Sequence, residues 1–594
     1  MYLPVTEKEM HNRGWDQPDF VLVTGDAYVD HPSFGTAIIS RLLEAHGYKV
    51  CILAQPAWKS KDEAMKDFRR FGRPRLGFLI NSGNVDSMVN NFSVMKNRRK
   101  RDMYSPGGKA GRRPDRAVTV YCNRAREAYR DVPIIIGGLE ASLRRFAHYD
   151  YWDDRVRRSI LMDSRAEILT YGMGERAVLE IAEALDSGIE AKDIGWIRGT
   201  CVRAGTYESG GTLTIEEDDV VLPDYSLVSE NKEAYCMSFK KQYRSNDVIR
   251  GKRLLEEYGD GVFVVQNPPQ PPLERHELDD VYALPFMRNY HPSYEKEGGV
   301  PAIKEVKFSI TSNRGCFGGC AFCAITFHQG REVRSRSKAS IVAEATLMTA
   351  DKDFKGYIHD VGGPTANFRL PACDKQLRLG MCRSRDCLYP KPCSMLKADH
   401  SEYLDVLSAV RQVPGVKKVF IRSGIRYDYL LADKKNGDRF LEELCRHHVS
   451  GILKVAPEHV SPKVLSKMHK PGIEVFDRFC EAYRKVNIEL GIKQYMVPYF
   501  ISSHPGSSLD DAVDLAVYLK EKGFVPDQVQ DFYPTPGTLA TCMYYTETDP
   551  LTMKPVYVAK SPKENKMQRA LLHFNKPQNR TLVKEALRIC KRTL

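Results

Sequence analysis

The sequence predicts an α/β protein: an N-terminal doubly wound parallel sheet domain, then a partial (β/α)6 barrel, then a basic C-terminal tail. Three observations carry this. Short apolar runs alternate with amphipathic helical stretches from residue 20 onward. A second strand-helix rhythm begins near residue 301, after a proline-rich break. Residues 554–594 carry eleven Lys or Arg against two Glu. At 594 residues the chain exceeds what one core supports. The expected division is 1–290 with a linker, 291–550 with a Cys-rich insertion at 373–393, and 551–594 as the extension.

The elements follow in order. Residues 20–25, Phe-Val-Leu-Val-Thr-Gly, read as a strand; Ile38, Ile39, Leu42 and Leu43 then share one helical face, with Gly47 placed to end the helix. Residues 49–54 make the next strand, and the runs at 77–80 and 133–136 continue a parallel sheet with helices on both faces. A further helix opens after Gly172-Met173-Gly174-Glu175. The basic, glycine-rich stretch of 96–101 and 106–114 lacks apolar periodicity and is expected to be a mobile loop, either solvated or clamping substrate phosphates. Asn-Pro-Pro-Gln-Pro-Pro from Asn267 cannot continue a helix or a central strand and reads as linker.

In the second half, strands are expected at 306–310, 357–361, 416–422, 452–455, 494–500 and 528–533. Between them, Ser461-Pro462 has the form of a cap with proline at the first helical position, and Ser508 with Asp511 the form of a capping box. Some six strand-helix units make a partial relative of the eightfold barrel, whose chemistry lies at the carboxyl ends of the strands. Within the tail, Met567, Leu571, Leu572, Leu582, Leu587 and Ile589 allow helix with a cationic polar side.

Composition excludes little else. No stretch reaches the length needed to span a bilayer and no secretory leader is visible, so a cytoplasmic protein without membrane association is expected. Fifteen cysteines there would be kept as thiols, and clusters of them read as metal sites before disulfides. The net charge of +13 suits a polyanion partner, although a solvated basic surface is the plainer account.

The most informative residues are Cys316, Cys320 and Cys323, in Arg-Gly-Cys-Phe-Gly-Gly-Cys-Ala-Phe-Cys. Three thiolates at this spacing hold three irons of a cubane cluster and leave the fourth without a protein ligand, which opens that iron to a substrate. Zinc is the competing reading, but its cysteine pairs usually come in twos or with histidines, and the Cys316 pair is one residue wider than the commonest knuckle. A second group, Cys373, Cys382, Cys387 and Cys393, offers four sulfurs in one short loop for zinc or another iron-sulfur cluster; reduced thiols and a partial disulfide are the plain readings. Cys542 could carry a transferred group but more often such a residue is packed.

Cys-x-x-x-Cys-x-aromatic-Cys after a strand-like run at 305–310 resembles the signature of the radical S-adenosylmethionine (SAM) superfamily. The resemblance gives other strand ends a meaning. Gly362 and Gly363, in His-Asp-Val-Gly-Gly-Pro-Thr, stand where backbone approaches the methionyl amino group of SAM. Arg422, Ser423 and Glu458 offer partners for its carboxylate and ribose, and the turns at Gly506 and Gly537 resemble those that pack on the adenosyl group in methylthiotransferases. No further catalytic residue is singled out.

The first half resembles the cobalamin-binding-type domain that precedes many such barrels, through Ile136-Gly137-Gly138 and Gly172-Met173-Gly174-Glu175. Its cobalt-ligating Asp-x-His-x-x-Gly is absent, since Asp30-His31-Pro32-Ser33-Phe34-Gly35 has another spacing, so a scaffold without cobalamin is expected. As a whole, including residues 26–35 and 419–428, the chain closely resembles the YgiQ family of radical SAM proteins.

That resemblance implies a 4Fe-4S cluster on the three cysteines, SAM as cofactor, a reductant protein as electron source, and a 5'-deoxyadenosyl radical. The substrate is left open, RNA or another macromolecule coming before a small molecule, although no RNA-binding module is recognisable. The reading from another class is a non-catalytic iron-sulfur or zinc protein that binds nucleic acid or senses redox state.

Overall fold

The computed structural model describes residues 1–205, 213–524, 526 and 529–592, and the chain forms two compact units. One comprises Met1–Leu273 with Glu277–Lys307, the other Glu274–His276 with Phe308–Leu594.

In the first unit, β1 (Phe20–Thr24) is followed by α1 (Gly35–Ala45), β2 (Val50–Ala54), β3 (Gly77–Asn81), α2 (Ala117–Ala128), β4 (Ile134–Ile136), β5 (Ile168–Thr170), α3 (Glu175–Asp186) and β6 (Thr200–Gly205). β7 (Val220–Val221), β8 (Leu254–Glu257) and β9 (Val262–Gln266) complete a nine-stranded sheet in the order β7-β8-β9-β6-β5-β4-β3-β1-β2. The alternation of side chains along β1 explains why both faces are covered. Phe20 and Leu22 join Ile38, Leu42, Leu43 and Ile181 in one core, while Val21 and Val23 join Phe68, Tyr121 and Ala125 in the other.

The sheet is parallel from β2 to β5; β6, β9 and β8 then follow one another antiparallel, and β7 runs parallel to β8 at the far edge. The expected doubly wound parallel sheet is present in β2 to β5, and strands the sequence reading did not place extend it with antiparallel pairings. Its extra strands lie in sequence whose apolar runs are too short to reveal direction.

Two further expectations change. The basic glycine-rich stretch is not a free loop: it contains a 3-10 turn at Pro106–Gly108, and Arg113 is among the most buried side chains of the protein. Its guanidinium lies 2.7 Å from Asp26 and 3.3 Å from Asp102, and donates to the Ser82 carbonyl at 2.6 Å. The proline-rich stretch is held within the first unit, where Asn267 donates to the carbonyls of Gly195 and Ile197 and Arg198 donates to that of Pro269. The turns that glycine and proline announced are there, but buried ion pairing, which has no periodicity to read, fixes the basic stretch.

The second unit carries β10 (Ser309–Thr311), α4 (Lys338–Thr349), β11 (Tyr357–Ile358), β12 (Asp360–Gly362), α5 (Ser401–Arg411), β13 (Lys418–Val419), β14 (Ile452–Glu458), α6 (Pro462–Met468), α7 (Ile473–Glu489), β15 (Tyr495–Ser502), α8 (Leu509–Lys522) and β16 (Gln530–Asp531). Every pairing among these strands is parallel and joins near neighbours: β10 with β12, β11 with β13, β14 with β15, and β15 with β16. They form three parallel groups in chain order along a partial barrel, and among the described residues no pairing joins β13 to β14. The first strand starts later than expected, because Pro301 opens a helical turn at Ile303–Val306 in which Lys307 donates to the Ile303 carbonyl. A short apolar run cannot separate those alternatives by periodicity. The start of the strand expected at 528–533 lies outside the described residues, and the part described is β16.

Both helix starts take the expected form: Pro462 occupies the first turn of α6, and Ser508 with Asp511 closes a capping box on α8. After α9 (Leu539–Thr546), the tail folds as α10 (Pro562–Leu572) and α11 (Arg580–Ile589). Met567, Ala570, Leu571, Val583 and Ala586 pack on Leu509, Val513 and Ala516 of α8. Three of the tail's cations are spent on ion pairs, Lys563 with Glu585, Arg569 with Asp531 and Arg592 with Asp514. Among the described residues no helix is long and apolar enough to cross a membrane.

Removing Arg113 would leave Asp26 and Asp102 as buried carboxylates without their cation. Arg113→Met is expected to lower the unfolding free energy by about 3–5 kcal/mol, measured by denaturant titration. An unchanged midpoint would show that the pair holds nothing in place.

Candidate metal and SAM site

The loop from Cys316 to Cys323 has no regular structure of its own, so its shape must be imposed from outside. It is held at both ends and in the middle. The Cys316 amide donates to the Gly330 carbonyl at 3.1 Å, and the preceding Asn313–Arg314 pairs antiparallel with Arg334–Ser335. Midway, the Ala321 amide donates to the Met468 carbonyl at the end of α6 (3.0 Å), while its own carbonyl accepts the Ala540 amide from the first turn of α9 (2.9 Å). Cys323 caps the short helix Ala324–Gln329. The turns need glycine: Gly315 and Gly319 have φ of 79° and 66°, in the left-handed region.

The three thiols are part-buried and close enough to feel one another. Burial pushes the Cys323 thiol up to about 12, and its neighbours Cys320 and Cys316 add to the shift; Cys316 is also raised, chiefly by burial. Two groups work in the other direction. Arg426, buried and held by both carboxylate oxygens of Asp428, places Nη1 3.5 Å from the Cys320 sulfur. The Thr365 hydroxyl lies 3.5 Å from the Cys316 sulfur. A Cβ on Gly318 would stand 2.6 Å from that Arg426 nitrogen, so glycine is what admits the guanidinium to the loop.

Phe317 stacks on Phe368 with ring centroids 3.9 Å apart and meets Tyr429 edge-on, walling one side. On another side Phe322 meets His504 edge-on at 5.9 Å.

The donor set fits an iron-sulfur cluster: three thiols, hydrogen-bond donors aimed at two of the sulfurs, and an apolar wall. Among the described residues, no three Cys, His, Asp or Glu side chains close on a point within reach of a single ion. A cubane does not ask this of them, because each thiolate takes a separate iron.

The strand ends named from sequence gather around this loop unequally. Gly362 ends β12 and Gly363 follows it, but the need for glycine at both is met inside the protein. A Cβ on Gly362 would fall 2.2 Å from Ser423 Oγ, and one on Gly363 would fall 2.6 Å from the Asn313 carbonyl oxygen. Ser423 donates its hydroxyl to Asp360, which also accepts the amides of Arg422 (2.8 Å) and Ser423 (3.1 Å). Asp360, whose carboxyl is raised by burial, is thus the residue that fastens two of the named motifs together, and sequence reading passed over it. Its place directly before Val361-Gly362-Gly363 was the available signal. The Arg422 side chain is exposed.

Glu458 ends β14 at φ 71°, buried, with Lys470 Nζ 3.7 Å away; burial raises its carboxyl, and Lys470 and Arg426 pull it back. Gly506 (φ 98°) donates its amide to the Tyr557 carbonyl at 2.7 Å, and Gly537 (φ 76°) precedes Thr538, the cap of α9. Cys542 is buried within α9 and is a packed residue.

In the first unit His31 is fully buried and its Nδ1 accepts the Ser33 amide at 3.1 Å, while Asp30 is bound by Arg41.

Three family models match the chain in succession. The radical SAM N-terminal family model matches residues 2–309, the radical SAM superfamily model 310–519, and a domain of unknown function (DUF3362) 527–593. A UPF0313 protein of Clostridium perfringens (strain SM101) is 57% identical over 586 residues, covering 99% of this chain and 87% of that protein. A UPF0313 protein of Clostridium botulinum (strain 657) is 56% identical, covering 99% and 90%.

Among solved structures, the radical SAM methyltransferase TsrM of Kitasatospora setae, with cobalamin and a 4Fe-4S cluster bound, is 13% identical with a TM-score of 0.48, covering 97% of this chain and all of that one. The cobalamin-dependent SAM radical enzyme OxsB is 12% identical with a TM-score of 0.47, covering 99% and 63%. The chain belongs to the UPF0313, or YgiQ, family and is a radical SAM enzyme. Membership implies a 4Fe-4S cluster, SAM and an external electron donor. It also sets aside the non-catalytic reading.

Two expectations come from this geometry. Gly363→Ala, which meets backbone, is expected to cost about 1–3 kcal/mol, while Gly424→Ala, whose Cβ meets nothing within 4 Å, stays within about 0.5 kcal/mol. Denaturant titration of the two compares them directly, and equal stabilities would refute the contact.

His504, buried with Nδ1 on the Pro505 carbonyl, is held down to about 3 by burial. An unfolded histidine takes its proton near pH 6.5, so the unfolded state binds more protons and stability is lost as pH falls below that value. His504→Asn is expected to reduce the slope of stability against pH between 6.5 and 4.5 by about one proton. A slope identical to wild type would show the ring is not held neutral.

Proposed function

We propose that Cys316, Cys320 and Cys323 are the ligands of the 4Fe-4S cluster and that SAM is bound over it by the surrounding strand ends. Held by these residues, a cluster would pass one electron from the external donor to the SAM sulfonium, so that the carbon–sulfur bond breaks to methionine and a 5'-deoxyadenosyl radical. The observation that carries the reading is the three-thiol loop, pinned by backbone hydrogen bonds from α6 and α9 with Arg426 directed at one sulfur.

The chain's own residues have separable tasks. Arg426 brings positive charge and an N–H to the Cys320 sulfur, which tunes the potential of whatever that sulfur binds. Asp428 fixes the guanidinium so that this is a permanent feature of the loop. Phe317, Phe368 and Tyr429 exclude water from one side.

For SAM, Gly362 and Gly363 offer main-chain edges to the methionyl amino group, the exposed Arg422 guanidinium suits its carboxylate, and Glu458 its ribose hydroxyls. The turns at Gly506 and Gly537 pack against the adenosyl group. The Ser423 hydroxyl donates its one hydrogen bond to Asp360, so towards the ligand it can only accept. The radical must be kept from water and stray reductants, which is the task of the walls around the loop.

For the substrate we infer a macromolecule, with RNA as the first candidate. The charge of +13 and the excess of Lys and Arg in residues 554–594 support it, reduced by the three cations already paired.

The test is anaerobic reconstitution of the full chain, reduction with dithionite in the presence of SAM, and assay of 5'-deoxyadenosine. Wild type and Cys542→Ala are expected to form it, and Cys316→Ala to lose iron and product together; a Cys316→Ala protein retaining both overturns the assignment. A salt titration of bulk RNA binding decides the substrate class. A linear fall of log affinity with log salt supports RNA, and no affinity at low salt removes it.

A further inference from the structure

Residues 373–396 leave the barrel and return to the same point. Lys397 donates its amide to the Ala372 carbonyl at 2.8 Å, closing the neck. Between those residues the only regular element is the six-residue helix Asp374–Leu379, and the only fully buried large apolar side chain is Leu388. Leu377, Leu379 and Met395 are 40%, 46% and 61% exposed, so the loop does not fold around a core of its own. A loop of this length without such a core is costly to order and usually carries a function.

What the loop has instead is sulfur. Cys373, Cys382, Cys387 and Cys393 are all free thiols and all part-buried. Cys373 begins the helix, and the Cys393 amide donates to the Cys387 carbonyl at 2.9 Å, which brings those two residues back to back. The Leu396 amide donates to the Cys393 carbonyl at 2.9 Å next to the closed neck at Ala372, and Gln376 joins the Ala372 amide (3.1 Å) to the Met381 sulfur (3.0 Å), so the chain beside all four cysteines is folded back to one neighbourhood.

The loop is also fixed to the first cysteine loop. Asp386 is held by His469 at 2.8 Å and Arg331 at 3.6 Å, and it faces Gly319, where a Cβ would approach its carboxylate to 3.2 Å. Cys387 and Leu388 pack in the same apolar cluster as Cys316 and Phe317.

We propose that Cys373, Cys382, Cys387 and Cys393 ligate a second iron-sulfur cluster, one layer of aromatic side chains from the first. Four thiolates saturate such a cluster, so this site binds no substrate. Crosslinking a long loop at four points supplies the order that its missing core does not. Iron-sulfur is favoured over zinc because a tetrahedral zinc with Zn–S near 2.3 Å draws its sulfurs to about 3.8 Å from one another. No three of the described thiols converge on a single-ion site of that kind. Ligands of a cluster stand further apart.

The test uses the full chain reconstituted anaerobically with ferrous iron and sulfide. The triple variant Cys316→Ala, Cys320→Ala, Cys323→Ala is expected to retain iron and acid-labile sulfide in equal amounts. Cys382→Ser with Cys387→Ser is expected to lose that share and keep the other. A triple variant that keeps the wild-type circular dichroism but binds no iron, or binds only zinc, overturns the proposal.

Should the triple variant not fold, Mössbauer spectra of wild type decide. Two cluster components, only one of which changes on addition of SAM, support the second cluster, and a single component overturns it.

Discussion

A loop that must present three sulfurs in a fixed arrangement, yet has no helix or strand of its own, depends on hydrogen bonds made from elsewhere. Here the constraint falls on one residue, Ala321, through the two peptide units that meet at it. Its amide is tied to the end of α6 and its carbonyl to the start of α9, elements separated by some seventy residues of sequence. Cys320 precedes that residue and Cys323 follows two positions on, so both thiols sit on backbone that α6 and α9 hold in place. α6 follows directly on β14, the first strand of the parallel ladder β14-β15-β16. Barrel geometry is thereby converted into thiol geometry through two backbone hydrogen bonds.

The same economy governs the strand ends. Asp360 collects the amides of Arg422 and Ser423 and the Ser423 hydroxyl, and Gly362 is glycine because Ser423 leaves no room for a side chain. Two segments far apart in sequence are thus locked as one surface before any ligand arrives. Preorganisation of this kind spares a binding site the cost of arranging itself when the ligand enters.

Much of this was legible in the sequence, and the pattern of success has a physical cause. The three cysteines, the alternating cores of β1 to β4, the capping box at Ser508 and Asp511, and Pro462 in the first turn of α6 are written in local spacing. The family itself could be named from such motifs.

What could not be read was whatever depends on partners distant in sequence. Arg113 looked like part of a solvated basic stretch because nothing local announces that Asp26 and Asp102 will surround it. Arg426 and Asp360 sat within recognised motifs, but their work is done on Cys320 and on residues 422–423. The antiparallel extension of the first sheet was hidden because strand direction leaves no trace in a short apolar run. The tail's positive charge was correct as a count and overstated as a surface, since three of its cations already have acidic partners.

The closed neck of the cysteine-rich excursion has an evolutionary corollary. A segment that departs and rejoins through adjacent peptides imposes no strain on its host whatever its length, so it can be gained, lost or exchanged between relatives as a cassette while the barrel beneath keeps its register. Kin without the four sulfurs would then need only a short bridge across the gap from Ala372 to Lys397.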